Sequence, residues 1–313
     1  MPILFWLGGV ALLLIIALFS GCFYAYRRAF WSDRRVKVDY YKHIDDEVRF
    51  PGAAKMRARI DEMLSLECER VEIRSFDGLR LVGHYIHTSD DAPLQIMFHG
   101  FKSAWQRDFS GLCPLARSLG FNVLLVDQRA HGESEGAVIS YGINESRDVI
   151  SWVEYATTRF GENVKIVLAG VSMGGSTALS SIGRGLPKNV VAIAVDSPFS
   201  SPEGIIVKVG ASGGIPRGVI SFLARVSARL FGGFCLRELS AIDAIKNSDI
   251  PIFLVHGTSD RLVPYEMAEE LVDANPNVYF VGFEGADHIG SFMLDNERYV
   301  LEYTKFFREN NVL

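Results

Sequence analysis

No charged side chain occurs between Pro2 and Tyr26, and that gap is the first of several informative absences. Cysteine is sparse and unpatterned. Cys22, Cys68, Cys113 and Cys235 form no C-x-x-C pair, which argues against a zinc ribbon or disulfide frame and leaves ordinary reduced thiols. The seven histidines include no H-E-x-x-H. His84 and His87 stand three apart in a strand-like stretch, so they point to opposite faces; neither a metal nor a cofactor is expected. Positive charge is also short, with 32 Lys and Arg against 37 Asp and Glu for a net charge of −5. Without a basic patch interleaved with aromatics, nucleic acid is a poor partner. Internal repeats and low-complexity segments are missing too. What remains is apolar material in quantity, 49% of the chain, enough for a large buried core and more.

The surplus lies at the N-terminus. The uncharged run of about 25 residues can cross a hydrocarbon core of about 30 Å as a helix. No Lys or Arg precedes it, whereas Arg27, Arg28, Arg34, Arg35 and Lys37 follow. That asymmetry predicts a single-pass membrane anchor with the remainder of the chain in the cytoplasm. A secretory signal competes, although signals carry positive charge ahead of a shorter apolar stretch. A lipoprotein site at Ser20-Gly21-Cys22 also competes, but the apolar run continues past Cys22. Residues 1–30 are therefore read as the anchor and 31–68 as a charged linker that reaches Pro51-Gly52 and ends in an amphipathic helix, Ala53 to Leu66.

Strand and helix patterns alternate from there. Val71 to Arg74 and Leu79 to Ile86 flank a turn at Asp77-Gly78, a hairpin signal. Continuous apolar runs follow: Leu94 to Phe98, Val123 to Val126, Ile166 to Ala169, Val190 to Val195, Ile252 to Val255 and Val278 to Val281. Runs without alternation suit strands buried on both faces, as in a parallel sheet wrapped by helices. An antiparallel hairpin followed by six such strands predicts an α/β fold with a mostly parallel eight-stranded sheet. The interval of about fifty residues between Asp196 and Pro251 breaks the rhythm and is too long for one crossover helix. Within it, Arg217 to Phe231 is amphipathic, with Val219, Leu223, Val226 and Leu230 on one stripe and Arg225 and Arg229 away from it. Residues at about 198–250 are read as a helical cap inserted into a domain spanning 69–313; helices that only buttress the sheet are the plainer alternative.

The strongest local signal is Gly170-Val171-Ser172-Met173-Gly174-Gly175, directly after an apolar strand and before the helix-like Ser176 to Ile182. So sharp a turn strains the serine backbone and admits only small flanking residues. A serine hydroxyl needs a base. His288, in Gly285-Ala286-Asp287-His288 beyond the last strand, is the candidate. Asp260, in His256-Gly257-Thr258-Ser259-Asp260 after the preceding strand, is the candidate carboxylate; Asp196 and Asp287 compete for that role. Amides that stabilise a tetrahedral oxyanion are expected at Met173 and at Phe101, in the loop after the third strand. His99 reads as a residue that fixes this loop, and Lys102 as solvated.

Phe98-His99-Gly100, Asp127 to Gly136, Gly170 to Gly175, His256 to Pro264 and Asp287-His288 occur in that order. Together they resemble the α/β-hydrolase superfamily, near its serine aminopeptidase-like and prolyl-oligopeptidase-like branch. The resemblance covers roughly Glu69 to the C-terminus. It implies a nucleophile elbow at Ser172, a Ser172–His288–Asp260 triad, an oxyanion hole of the Phe101 and Met173 amides, a structural His131, and no cofactor. The sequence departs from the usual pattern at Ala130, where glycine is common. The implied activity is that of a serine hydrolase acting on an ester, thioester or amide through an acyl-enzyme. Alternatives are acyl transfer on the same scaffold and a non-catalytic membrane module; a dehalogenase or epoxide hydrolase would place Asp where Ser172 stands. Location next to a membrane suggests a lipid-derived substrate. Substrate identity and oligomeric state are not legible.

Overall fold

The computed structural model describes residues 2–33, 38–41 and 52–313. Arg34, Arg35, Lys37 and Pro51, with most of the charged linker, lie outside the described residues. The chain opens with α1 (Pro2–Ala29) and α2 (Ala53–Leu64), then the hairpin β1 (Glu69–Arg74) and β2 (Arg80–Ile86). Next come β3 (Leu94–Phe98), α3 (Trp105–Asp108), α4 (Leu112–Ser118), β4 (Asn122–Asp127), α5 (Glu145–Phe160), β5 (Ile166–Val171) and α6 (Met173–Ser181). After β6 (Val190–Asp196) the chain forms α7 (Pro202–Ala211), α8 (Arg217–Ser227) and α9 (Ala241–Ile245). It closes with β7 (Ile252–Gly257), α10 (Glu266–Ala274), β8 (Val278–Phe283), α11 (Ser291–Leu294) and α12 (Asn296–Glu309).

The eight strands form one sheet in the order β1-β2-β4-β3-β5-β6-β7-β8. Pairing is antiparallel within the hairpin and between β2 and β4, and parallel from β4 onward. Every residue of β3, β4, β5 and β7 is buried, which is why these strands read as unbroken apolar runs. Alternate residues of β5 feed two cores. Val167, Ala169 and Val171 face Tyr299, Tyr303, Phe306 and Phe307 of α12. Ile166 and Leu168 face Val149, Trp152 and Val153 of α5. From β3 the chain runs outward to β4 and then returns to the other side as β5. This reversal opens a crevice at the carboxyl ends of β3 and β5, where α/β sheets bind ligands.

Among the described residues, one helix is long and apolar enough to cross a membrane, Trp6–Ala29 within α1. Its last turn is tied to the sheet domain. Ile139 N donates to Phe30 O (2.8 Å) and Ser32 N to Ala137 O (2.9 Å). Tyr26 and Phe30 are buried in a cluster that contains Ala130, Phe199, Ile205 and Met173.

Three helices differ from the sequence reading. α2 ends at Leu64, and α6 begins at Met173 rather than Ser176, because the helix starts at the turn itself. α8 differs in which stripe it buries. Ile220, Ala224 and Ser227 are covered, whereas Val219 and Leu230 of the expected stripe are 47% and 62% exposed. Small residues set this choice. A Cβ at Gly210 of α7 would lie 2.9 Å from Ile220, so α7 and α8 pack through the face where their backbones approach closely.

Candidate active site

Ser172 stands at the carboxyl end of β5 with φ 52° and ψ −122°. A non-glycine residue held there is strained by roughly 1–3 kcal/mol, tolerable only when its surroundings over-determine it. Here they do. Ser172 N donates to Asp196 O (2.8 Å), continuing the sheet, while Ser176 N donates to Ser172 O (3.0 Å), starting α6. The flanking glycines have no room for a side chain. A Cβ on Gly170 would lie 2.4 Å from Gly174, and one on Gly174 would lie 1.8 Å from Phe98 O. Gly174→Ala is therefore expected to destabilise the fold by about 3 kcal/mol or more, since the obstacle is backbone that cannot rotate away. Urea unfolding measures this; a midpoint equal to the parent's would mean the elbow is looser than described.

The structure brings Ser172, His288 and Asp260 together. His288 Nε2 lies 2.9 Å from Ser172 Oγ and Nδ1 lies 2.7 Å from Asp260 Oδ2. Asp260 is fixed from its other side, where Oδ1 accepts from Leu262 N (2.9 Å) and Val263 N (2.8 Å). His256 Nε2 stands 3.2 Å from Asp260 Oδ2 and 3.0 Å from Val263 O. Burial alone would raise the Asp260 pKa, but the bonds from His256 and His288 outweigh it and hold the carboxyl well below its usual range. An ionised Asp260 keeps the proton of His288 on Nδ1 and leaves Nε2 free to accept from the serine. Such a chain can draw the hydroxyl proton as oxygen attacks a carbonyl carbon.

The two competing carboxylates do not reach the imidazole ring. Asp287 binds Arg261, whose Nε lies 2.9 Å from it, and accepts from the His288 backbone N (2.9 Å). Asp196 is buried at the end of β6 and is bonded by Ser197. Ser197 Oγ donates to Asp196 Oδ1 (2.9 Å) and accepts from Ile289 N (3.2 Å), so this pair grips the backbone next to His288. Burial, against the bond from Ser197, pushes the Asp196 pKa up to about 6. With a folded pKa above the unfolded one, this group favours the fold while protonated, and its contribution is lost as pH rises from about 4 to about 6. Asp196→Asn should thus gain on the parent by on the order of 2–3 kcal/mol between those limits. Denaturant unfolding at both ends of the window checks it; parallel pH profiles would refute the raised pKa.

The loop after β3 lies against the serine, since a Cβ on Gly100 would be 3.4 Å from Ser172 Cβ. Its amides are disposed of unequally. Gly100 N donates to Asp108 Oδ2 (2.7 Å) and Lys102 N to His131 Nε2 (3.0 Å). Among the described residues, the intervening Phe101 N and the Met173 N at the start of α6 have no acceptor. His99 accepts from Gln128 N (3.2 Å) and bonds Gly100 O (2.8 Å), and His131 bonds Arg129 O (2.9 Å). Both rings are occupied by backbone. Burial, with His99 nearby, lowers the His131 pKa to about 3 and keeps it a neutral acceptor for Lys102. Lys102 is less fully solvated than expected, with a pKa lowered by burial and by Arg28 and Arg27.

Ala130, where glycine is common, adopts φ 63° and is wholly buried. Its methyl belongs to the same cluster as Tyr26 and Phe30 at the end of α1, so strain at this position is met by packing. Asp108, Ser197 and His256 are the residues that sequence reasoning did not single out as parts of the site. His256 and Asp108 carry no periodic signal; only their spacing from Asp260 and Gly100 hints at their contacts.

The alpha/beta hydrolase family profile matches residues 95–302. The Bacillus subtilis protein YqkD, itself uncharacterised, is 26% identical over 242 residues, 76% of this chain and 79% of its own. Escherichia coli YfhR, also uncharacterised, is 26% identical over 268 residues, 82% of each chain. Among solved structures, the Pyrococcus furiosus esterase Pf2001 is similar with a TM-score of 0.64 and 26% identity, covering 79% of this chain and 93% of that one. With the profile spanning the sheet from β3 onward and both segments that carry Ser172 and His288, the chain belongs to the alpha/beta hydrolase family.

Proposed function

We propose that the protein is a serine hydrolase that cleaves an acyl ester through a covalent acyl-enzyme. The observation that carries this reading is the unbroken path Ser172 Oγ–His288–Asp260, with 2.9 and 2.7 Å steps, beside two amides without acceptors. Ser172 Oγ attacks the acyl carbon while its proton passes to His288 Nε2. The tetrahedral oxyanion is held by the Phe101 and Met173 amides. His288 then protonates the leaving alcohol, and the acyl group stays on Ser172. Water attacks next, giving its proton to His288, and the acid leaves with Ser172 restored. Preference for an ester over an amide draws on the similarity to an esterase at 26% identity. A fluorophosphonate probe should label the folded protein at Ser172 and leave Ser172→Ala unlabelled. Equal labelling of both forms would sink the assignment.

We also read α1 as a single-pass anchor that leaves the sheet domain in the cytoplasm, and the chain from about 198 to 250 as a cap over the site. The first reading draws on the uncharged face of α1 followed by Arg27 and Arg28. The second draws on the placement of Ile205, Ile206, Ile220 and Ala224 in one cluster with Met173.

A further inference from the structure

We propose that α8 is itself a membrane element, lying in the headgroup–acyl boundary of the leaflet next to the sheet domain, with the bilayer covering its exposed apolar face. The inference rests on α1 being the anchor. Val219 and Phe222 are 47% and 46% exposed; with half-buried Val226 they fall at i, i+3 and i+7, one stripe, and Leu230, 62% exposed, follows in the π-helical turn of residues 228–232 that continues α8. Val209 and Ile215, just before it, are exposed as well. This stripe is separate from the buried one, so the apolar arc of α8 is wider than any protein surface packed on it.

The position of α8 along α1 says what covers that face. Ser227 Oγ donates to Cys22 O (2.8 Å), and Phe231 meets Phe19, Phe23 and Tyr26 at centroid distances of 5.2, 5.4 and 5.6 Å. Arg27 is the first charge on α1. At 1.5 Å per residue, Cys22 lies about 8 Å and Phe19 about 12 Å to the apolar side of it. Helices that lie in a membrane interface sink their apolar face about 5–10 Å into this boundary. α8 is thus held at interfacial depth by a helix that fixes its height. Its polar sector fits the same placement. Arg217 at the start of α8 and Arg229 in the turn just after it are exposed, whereas Arg225 and Arg237 pair with Glu203; exposed arginines at both ends suit a layer of anionic headgroups.

The test uses the full chain in nanodiscs of phosphatidylcholine and phosphatidylglycerol, with and without bromine on the acyl chains. Bromine quenches tryptophan only in direct contact. Trp6 in α1 reports on the anchor, by comparison of the parent with Trp6→Phe. Phe222→Trp and, independently, Val219→Trp report on α8, and Leu301→Trp on the exposed side of α12 is the control. The expected result is a bromine-quenched component added by Phe222→Trp and Val219→Trp, similar in fraction to that of Trp6, and none added by Leu301→Trp. Quenching of Trp6 without any added component from the two α8 variants overturns the proposal and leaves the anchor in place. A blue-shifted, unquenched emission at 222 would overturn it in favour of a second protein copy on this face. If Trp6 is not quenched either, the anchor reading fails and the proposal with it. None of these readouts depends on catalysis, so the hydrolase assignment stands or falls separately.

Discussion

Ser172→Ala is expected to lower kcat for acyl-ester hydrolysis about a million-fold, the scale set by removing the nucleophile from a serine–imidazole–carboxylate system. The loss should come without unfolding. The hydroxyl makes one contact of note, to His288, whereas the strained backbone is held by Asp196 O and by the first bond of α6, both of which an alanine preserves. The unfolding midpoint is thus expected to stay with the parent's while turnover vanishes. Steady-state kinetics on a short soluble ester, paired with urea unfolding, separates the two. Activity within tenfold of the parent would mean that water is activated elsewhere and that Ser172 is only a turn residue.

Asp260→Asn is expected to cost about four orders of magnitude in kcat, by imposing the wrong tautomer. The structure fixes how the amide must sit. Oδ1 of Asp260 accepts from Leu262 N and Val263 N, so an asparagine keeps its oxygen there. Its NH2 then replaces Oδ2 and faces both His288 Nδ1 and His256 Nε2. An NH2 donates to Nδ1, which moves the imidazole proton to Nε2 and removes the acceptor that Ser172 needs. Binding contacts to substrate are untouched, so KM should change far less than kcat. A kcat loss below tenfold would show that Asp260 orients nothing of consequence and would return attention to Asp196. His256 is the additional factor in this chain, since it must also tolerate the NH2 group.

Legibility in the sequence followed the range of the interactions. Strands buried on both faces are written as apolar runs, so β3 through β8 could be placed from composition within a residue or two at their ends. The turn at Ser172 was readable because Gly170 and Gly174 answer a local steric demand. Ser172, His288 and Asp260 each follow a strand end, and sheet topology brings strand ends together. Other features depend on register between distant segments. Asp108 matters because α3 returns it to Gly100, and Ser197 because it accepts from Ile289 N, beyond β8. Neither pairing leaves a trace in periodicity. α8 shows a different limit. Its amphipathic spacing was plain, but a helix with a broad apolar arc does not say which part of the arc protein covers. Gly210 and Ala224 decided that, through contacts between helices and not through pattern.

The docking of the last turn of α1 onto Ala137 and Ile139 also bears on how the chain is made. α1 leaves the ribosome before its partners, since the β4–α5 connection and α8 follow it by about a hundred residues or more. With α1 as the anchor proposed above, Tyr26 and Phe30 would already be held at the membrane surface when the sheet begins to assemble. The cluster around Met173 would then close against that waiting helix end. Maturation of the site would accordingly be coupled to targeting: chains that miss the membrane would complete the sheet but lack a settled partner for the surface above Met173. Such chains would expose apolar surface and become substrates for quality control.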